Sequence, residues 1–147
     1  MDSVLTNHWA LVLAGGDGTR LQELTRLITG APIPKQYCRL LGERSLLEAT
    51  LTRVLRFAPL KRTAIILNRN HVEIGWQQVR HLPAENLIIQ PCNRDTGPGL
   101  LFSLLHLARR DPQATVAVFP SDHYIGDDLT FMGYVRRAAE LVGTFPH

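Results

Sequence analysis

Apolar residues in this chain follow two alternating patterns, and that alternation constrains the fold more than any other feature of the sequence. Four short runs, Trp9–Ala14, Thr63–Leu67, Asn86–Gln90 and Thr115–Phe119, are nearly continuous in apolar or β-branched residues. Runs of that length and character suit strands buried on both faces, as in a parallel sheet. Between them lie stripes at helical spacing. Ser45 can cap a helix with Glu48 as its capping-box partner, Leu47, Leu51, Val54 and Leu55 recur along it, and Pro59 ends it. His71 to His81 predicts a second helix with Val72, Trp76 and Val79 on one side. Gly99 to Arg110 predicts a third with Leu100, Leu101, Leu104, Leu105 and Ala108 on one face. Leu129, Met132, Val135, Ala139 and Val142 predict a last one. From Gln22 to Pro34 two readings compete: Thr25 to Thr29 can form a helical turn, while Gly30, Pro32 and Pro34 mark a loop. Strands alternating with helices imply an α/β fold, three-layered (α/β/α) and Rossmann-like, around a mainly parallel sheet.

The length of 147 residues suits one domain, spanning 1–147, that buries roughly 70% of its unfolded surface. The chain stops at Gly143-Thr-Phe-Pro-His147, straight after a helix, where the alternation calls for another strand; the expectation is a domain incomplete at its C-terminus. Such a sheet exposes apolar surface, which predicts self-association. The net charge of +3 comes from scattered residues, with no run of five Lys or Arg and no aromatic residues interleaved with a basic stripe. Nucleic-acid binding requires that clustering and is not expected. Cys38 and Cys92 form no CxxC pair, and the apolar run from Trp9 to Ala14 is too short for a signal peptide or a membrane span. A reduced, cytoplasmic protein without membrane contact is the expectation.

Four segments carry chemistry. The first, Leu13-Ala-Gly-Gly-Asp-Gly-Thr-Arg20, runs from a strand into a glycine turn. Gly15, Gly16 and Gly18 allow backbone N–H groups to approach phosphate oxygens, and Arg20 adds a planar fork suited to phosphate. A tight turn alone would also use these glycines. Neither the P-loop ending Gly-Lys-Ser/Thr nor GxGxxG is present, since Leu21 stands where the third glycine belongs. The second, Pro34-Lys35-Gln36, holds a lysine on a proline-stiffened loop; the plain alternative is a solvated lysine. The third, Phe119-Pro-Ser-Asp-His123, follows the fourth strand, and the carboxyl ends of parallel strands are where ligands bind. Asp122 is placed to hold Mg²⁺ beside phosphates, or to form a cap or turn. His123 either positions Asp122 or fills space, and filling space is the expectation. The fourth, Gln90-Pro-Cys-Asn-Arg-Asp-Thr-Gly-Pro-Gly99, leads into a helix that Thr96 can cap.

The order of these segments, a glycine turn ending in Arg, a Pro-Lys loop and a strand ending in Asp, resembles the sugar-1-phosphate nucleotidyltransferases. Pro34-Lys-Gln-Tyr37, Gln90-Pro-Cys-Asn-Arg94 with Thr96 and Pro98, and Phe119-Pro-Ser-Asp-His-Tyr124 look like their mannose-1-phosphate guanylyltransferase branch. The resemblance runs from about Trp9 to the end of the chain. It implies transfer of a nucleotidyl group from GTP to mannose 1-phosphate, giving GDP-mannose and pyrophosphate, with Mg²⁺. A UTP- or dTTP-dependent relative and a non-catalytic nucleotide-binding module are the alternatives. By the resemblance, Arg20 holds the β- and γ-phosphates, Lys35 sits near the reacting phosphates and Asp122 is a metal ligand. The stretch Leu13, Ala14, Gly15 and Gly16, with Gly18 and Thr19 beyond it and Asn93 and Thr96 opposite, cradles the nucleotide. Two departures stand out: Gln22-Glu23 where the family commonly has a proline, and Asp95-Thr-Gly-Pro-Gly99 where many members carry Gly-Thr-Ala-Pro-Ala. Glycine for alanine loosens a helix start by roughly 1 kcal/mol at each helical position. The family's sugar-binding residues and second metal-binding aspartate belong to a following half that this sequence does not contain, and a homo-oligomer is a possible assembly.

Overall fold

A computed structural model describes residues 7–144. The four apolar runs form β1 (His8–Ala14), β2 (Thr63–Asn68), β3 (Leu87–Gln90) and β4 (Thr115–Pro120), all parallel, in the order β3-β2-β1-β4. Among the described residues, four α-helices lie between them, α1 (Gln22–Thr29), α2 (Leu46–Val54), α3 (Val72–Val79) and α4 (Thr96–Arg110), and α5 (Asp128–Thr144) follows β4. The expected three-layer parallel architecture is what the chain adopts.

Alternation along each strand sorts the core into two halves. Ala10, Val12 and Ala14 of β1 meet Ile65, Leu67 and Phe119 on the face covered by α2, α3 and α5. Trp9 and Leu11 meet Ala64, Ile66, Ile88 and Leu107 on the face covered by α4. Fully buried leucines such as Leu11, Leu47 and Leu51 each contribute about 1.5–3 kcal/mol. The handedness of parallel crossovers explains which helix lies where. The chain steps in one direction from β1 to β2 to β3, which keeps α2 and α3 on one face. It then reverses past β1 to reach β4, which puts α4 on the other.

Local signals set the helix ends. Ser45 and Glu48 form the expected capping box: the Glu48 N–H donates to Ser45 Oγ (3.0 Å), and the Ser45 N–H donates to Glu48 Oε2 (2.8 Å). The ambiguous stretch after the glycine turn is a helix, α1, which Gly30 closes in the left-handed conformation (φ 80°). Both readings of that stretch were thus partly right, helix first and loop after it.

Three expected helix faces are corrected. In α3 the buried positions are Gly75 and Val79, and Trp76 is about half exposed, because Gly75 is the residue that fits against Leu67 and Tyr37. In α4 the helix rests on Ser103 and Leu107, with Leu100 half-buried, whereas Leu101 and Leu105 face outward. In α5, Met132 and Ala139 are buried and Val135 packs against them, but Leu129 and Val142 are exposed. No helix among the described residues is long and apolar enough to cross a membrane.

Candidate functional site

The strand order reverses at β1, between β2 and β4, and an open parallel sheet offers a crevice at that point beyond the carboxyl ends of its strands. A cavity of about 280 Å³ opens there. Its walls include Leu13 near the end of β1 with Gly15 and Gly16 beyond it, Gln90 at the end of β3 with Asn93 beyond it, and Ser121 and Asp122 after β4.

The glycine turn is held from behind. Gln36 Nε2 donates to the carbonyls of Gly16 (2.8 Å) and Ala14 (3.3 Å), Tyr37 Oη to that of Ala14 (2.8 Å), and Gln90 Nε2 to that of Gly15 (3.1 Å). Three carbonyl oxygens that would repel an anion are thereby engaged by amide and phenol donors. Burial pushes the Tyr37 phenol well above its ordinary range, and the Asp17 carboxylate pushes the same way, so it remains a donor. Glycine at 15 keeps the Gln90 tie in place, since a Cβ would lie 2.4 Å from Gln90 Nε2 and that amide would have to shift. Glycine is required at 18 because φ there is 62° and Pro34 stands 3.0 Å from where a Cβ would be.

The two charged residues expected at the reaction centre come together. Lys35 Nζ and Asp122 Oδ2 are 2.8 Å apart, each side chain about one-third exposed. Pro34, extended at φ −60° and ψ 142°, starts the 3-10 turn that carries Lys35 and Gln36. Ser121 fixes the other side: its N–H and Oγ both donate to the carbonyl of Leu13, at 3.2 and 2.7 Å.

Of the remaining expected site residues, Leu13, Gly15, Gly16, Asn93 and Thr96 line the cavity. Ala14 lies behind it, buried, its carbonyl serving as the anchor for Gln36 and Tyr37. Gly18, Thr19 and Arg20 lie along the chain beyond the lining, and Arg20 is exposed in a 3-10 turn, Thr19–Leu21. Thr96 does not cap α4. It is the first helical residue, Asp95 occupies the cap position, and no side chain makes a cap hydrogen bond there. His123 does not fill space: its side chain is 66% exposed, with Nε2 3.7 Å from Asp122 Oδ1.

The residues missed are those whose role depends on partners. Asp17 accepts hydrogen bonds from Asn68 Nδ2 (2.8 Å) and Asn93 Nδ2 (2.9 Å). Asn68, the last residue of a strand, and Asp17, between two glycines, carried a signal only as polar residues at strand ends. Asp95 has φ 66° and ψ −175°, backbone space that glycine occupies almost alone.

A nucleotidyl transferase family model matches residues 9–144. The chain belongs to that family. Among its relatives it is 32% identical, over 136 residues, to mannose-1-phosphate guanylyltransferase 2 of Escherichia coli O157:H7, covering 90% of this chain and 27% of the relative. It is 34% identical to the xanthan biosynthesis protein XanB of Xanthomonas campestris, covering 88% and 27%. The chain thus spans about a quarter of the length of these relatives. A solved structure described as mannose-1-phosphate geranyltransferase from Thermus thermophilus superposes with a TM-score of 0.76 at 30% identity, over 90% of this chain and 37% of that one. A mannose-6-phosphate isomerase from Helicobacter pylori, at 20% identity and a TM-score of 0.67, shares the fold.

Proposed function

We propose that this chain provides the GTP-binding part of a mannose-1-phosphate guanylyltransferase, in which GTP and mannose 1-phosphate give GDP-mannose and pyrophosphate in the cytoplasm. The observation that carries this is the pairing of Lys35 with Asp122 at the mouth of a crevice floored by Gly15 and Gly16. The relatives' names supply the base and the sugar.

The reaction is an in-line displacement at the α-phosphorus by a phosphate oxygen that is already anionic, so no general base is needed. Charge neutralisation and alignment are needed instead. Two like charges 4 Å apart repel by roughly 4 kcal/mol at an effective dielectric of 20. Lys35 is close enough to the crevice to offset that repulsion, and Arg20, exposed on the turn that leaves it, would hold the distal phosphates. Asp122 fits a magnesium site built on one protein carboxylate with substrate phosphates completing the shell, since it is partly exposed and at the cavity wall. Mg²⁺ bound there would supply charge neutralisation at the phosphates. Asp122, paired here with Lys35, is the residue that would hold the cation, and Lys35 is the residue that would face the nucleotide phosphates.

Nucleotide binding without turnover is the second reading. Calorimetry with GTP, UTP and dTTP in the presence of Mg²⁺, on the parent and on Arg20→Ala, tests the nucleotide binding that both readings share. Saturable binding that prefers GTP and falls at least about tenfold in the variant is expected, the loss typical of a charge-assisted contact. A folded parent that binds none of the three defeats the proposal. Preference for UTP or dTTP replaces the base and keeps the chemistry.

A further inference from the structure

Asp17 sits in the middle of the glycine turn, where a negative charge next to a polyanion is electrostatically the wrong choice. Its surroundings account for it. Oδ1 accepts from Asn68 Nδ2 at 2.8 Å and Oδ2 from Asn93 Nδ2 at 2.9 Å. Asn68 ends β2 and is buried, and Asn93 stands in the loop between β3 and α4. Each asparagine has its amide orientation fixed from the other end. Asn68 Oδ1 accepts the N–H of Asn70 (3.1 Å), and Asn93 Oδ1 accepts the N–H of Asp95 (2.9 Å). Flipping either amide would break that bond and turn an oxygen towards the carboxylate. Both carboxyl oxygens of Asp17 serve as acceptors, a demand that an asparagine, with one oxygen and one NH₂, meets only at one end. Asp17 has the length to reach both, and the flanking glycines leave the backbone free to place it.

We propose that Asp17 is a positioning residue that ties the glycine turn to the end of β2 and to the loop after β3, so that two walls of the crevice hold one fixed spacing. Gly15 and Gly16 form one wall, and Asn93, Asp95 and Thr96 the other. Gln90, bonded to the Gly15 carbonyl, adds a second tie beneath. The role in nucleotide affinity rests on the nucleotide-binding reading above, whereas the coupling between the loops does not.

Charge and positioning predict opposite results for Asp17→Ala. If repulsion governs, removing the carboxylate tightens triphosphate binding. If positioning governs, binding weakens by about tenfold although a negative charge has gone. Asn93→Ala should weaken it by a similar factor, and the double variant should lose little more than either alone. Hydrogen exchange on the nucleotide-free chain reads the tie directly. In Asp17→Ala the amides of residues 15–18 and those of residues 93–95 should speed up together, while those of β1 and β2 keep their protection. Asp17→Asn, which retains one good acceptor, should fall between, and it serves if the alanine variant fails to fold. Tighter binding, additive losses, or an unchanged 93–95 loop would each overturn the proposal. A parent that binds no triphosphate, with the two loops still coupled in exchange, would remove the nucleotide reading and leave the tie standing.

Discussion

Asp95 shows how a single residue can be at odds with its own backbone. Its φ of 66° with ψ near 180° belongs to glycine, and strain of this kind costs about 1–3 kcal/mol. This chain holds an aspartate in a conformation that glycine adopts without strain. Asp95→Gly should therefore raise stability by about 1 kcal/mol, the released strain exceeding the extra chain entropy that glycine brings to the unfolded state. Urea midpoints that fail to rise would show that the carboxylate at the start of α4 stabilises more than the backbone loses. Lys35 and Asp122 were singled out from the segments that hold them, and the structure adds that the two pair. Asp17 could not be, because its meaning lies in two asparagines, 51 and 76 positions away, that no spacing rule connects to it. His123 was misread for a related reason, since burial is a property of the surroundings rather than of the residue.

The helices carry a different lesson. All four strands were legible, to within a residue or so at their ends, as short apolar runs, although only β1 and β2 are buried on both faces and the edge strands expose Ile89 and Val118. A helix has a phase, and in α4 the sequence offers five apolar residues over a wider arc than the sheet covers. The helix rests on Ser103, a small residue whose hydroxyl donates to the carbonyl of Gly99 (2.9 Å), and on Leu107. Leu107→Ala should destabilise the chain by about 2–5 kcal/mol, while Leu105→Ala, at a position 58% exposed, should change stability by about 0.5 kcal/mol or less. Thermal or chemical unfolding of the two variants side by side checks the phase; equal losses would mean that the sheet meets the face carrying Leu105. Gly75 turned α3 in the same way, a small residue taking the contact that composition alone assigns to Trp76.

For the molecule as a whole, the apolar residues left over matter as much as those buried. Leu24, Leu27 and Ile28 form an exposed stripe on α1, and Leu101, Phe102 and Leu105 another on α4, with Val118 exposed on β4. Apolar surface gathered into stripes favours association. Sedimentation should show a coefficient that rises with protein concentration, and Leu27→Lys together with Leu105→Lys should suppress the rise; a constant coefficient in the parent would count against it. The strand order has a further consequence, one of time. The crevice closes only when β4 docks beside β1, through pairings such as Trp9 with Val116 and the bond from Ser121 Oγ to Leu13 O, which joins residues 108 positions apart. Pairings that distant are slow to form, because a long loop must close before any contact rewards it. On a ribosome, β1, β2 and β3 would all emerge and could assemble before β4 exists. The glycine turn, already facing the loop after β3, therefore waits for the last strand to bring Ser121 and Asp122 to the crevice.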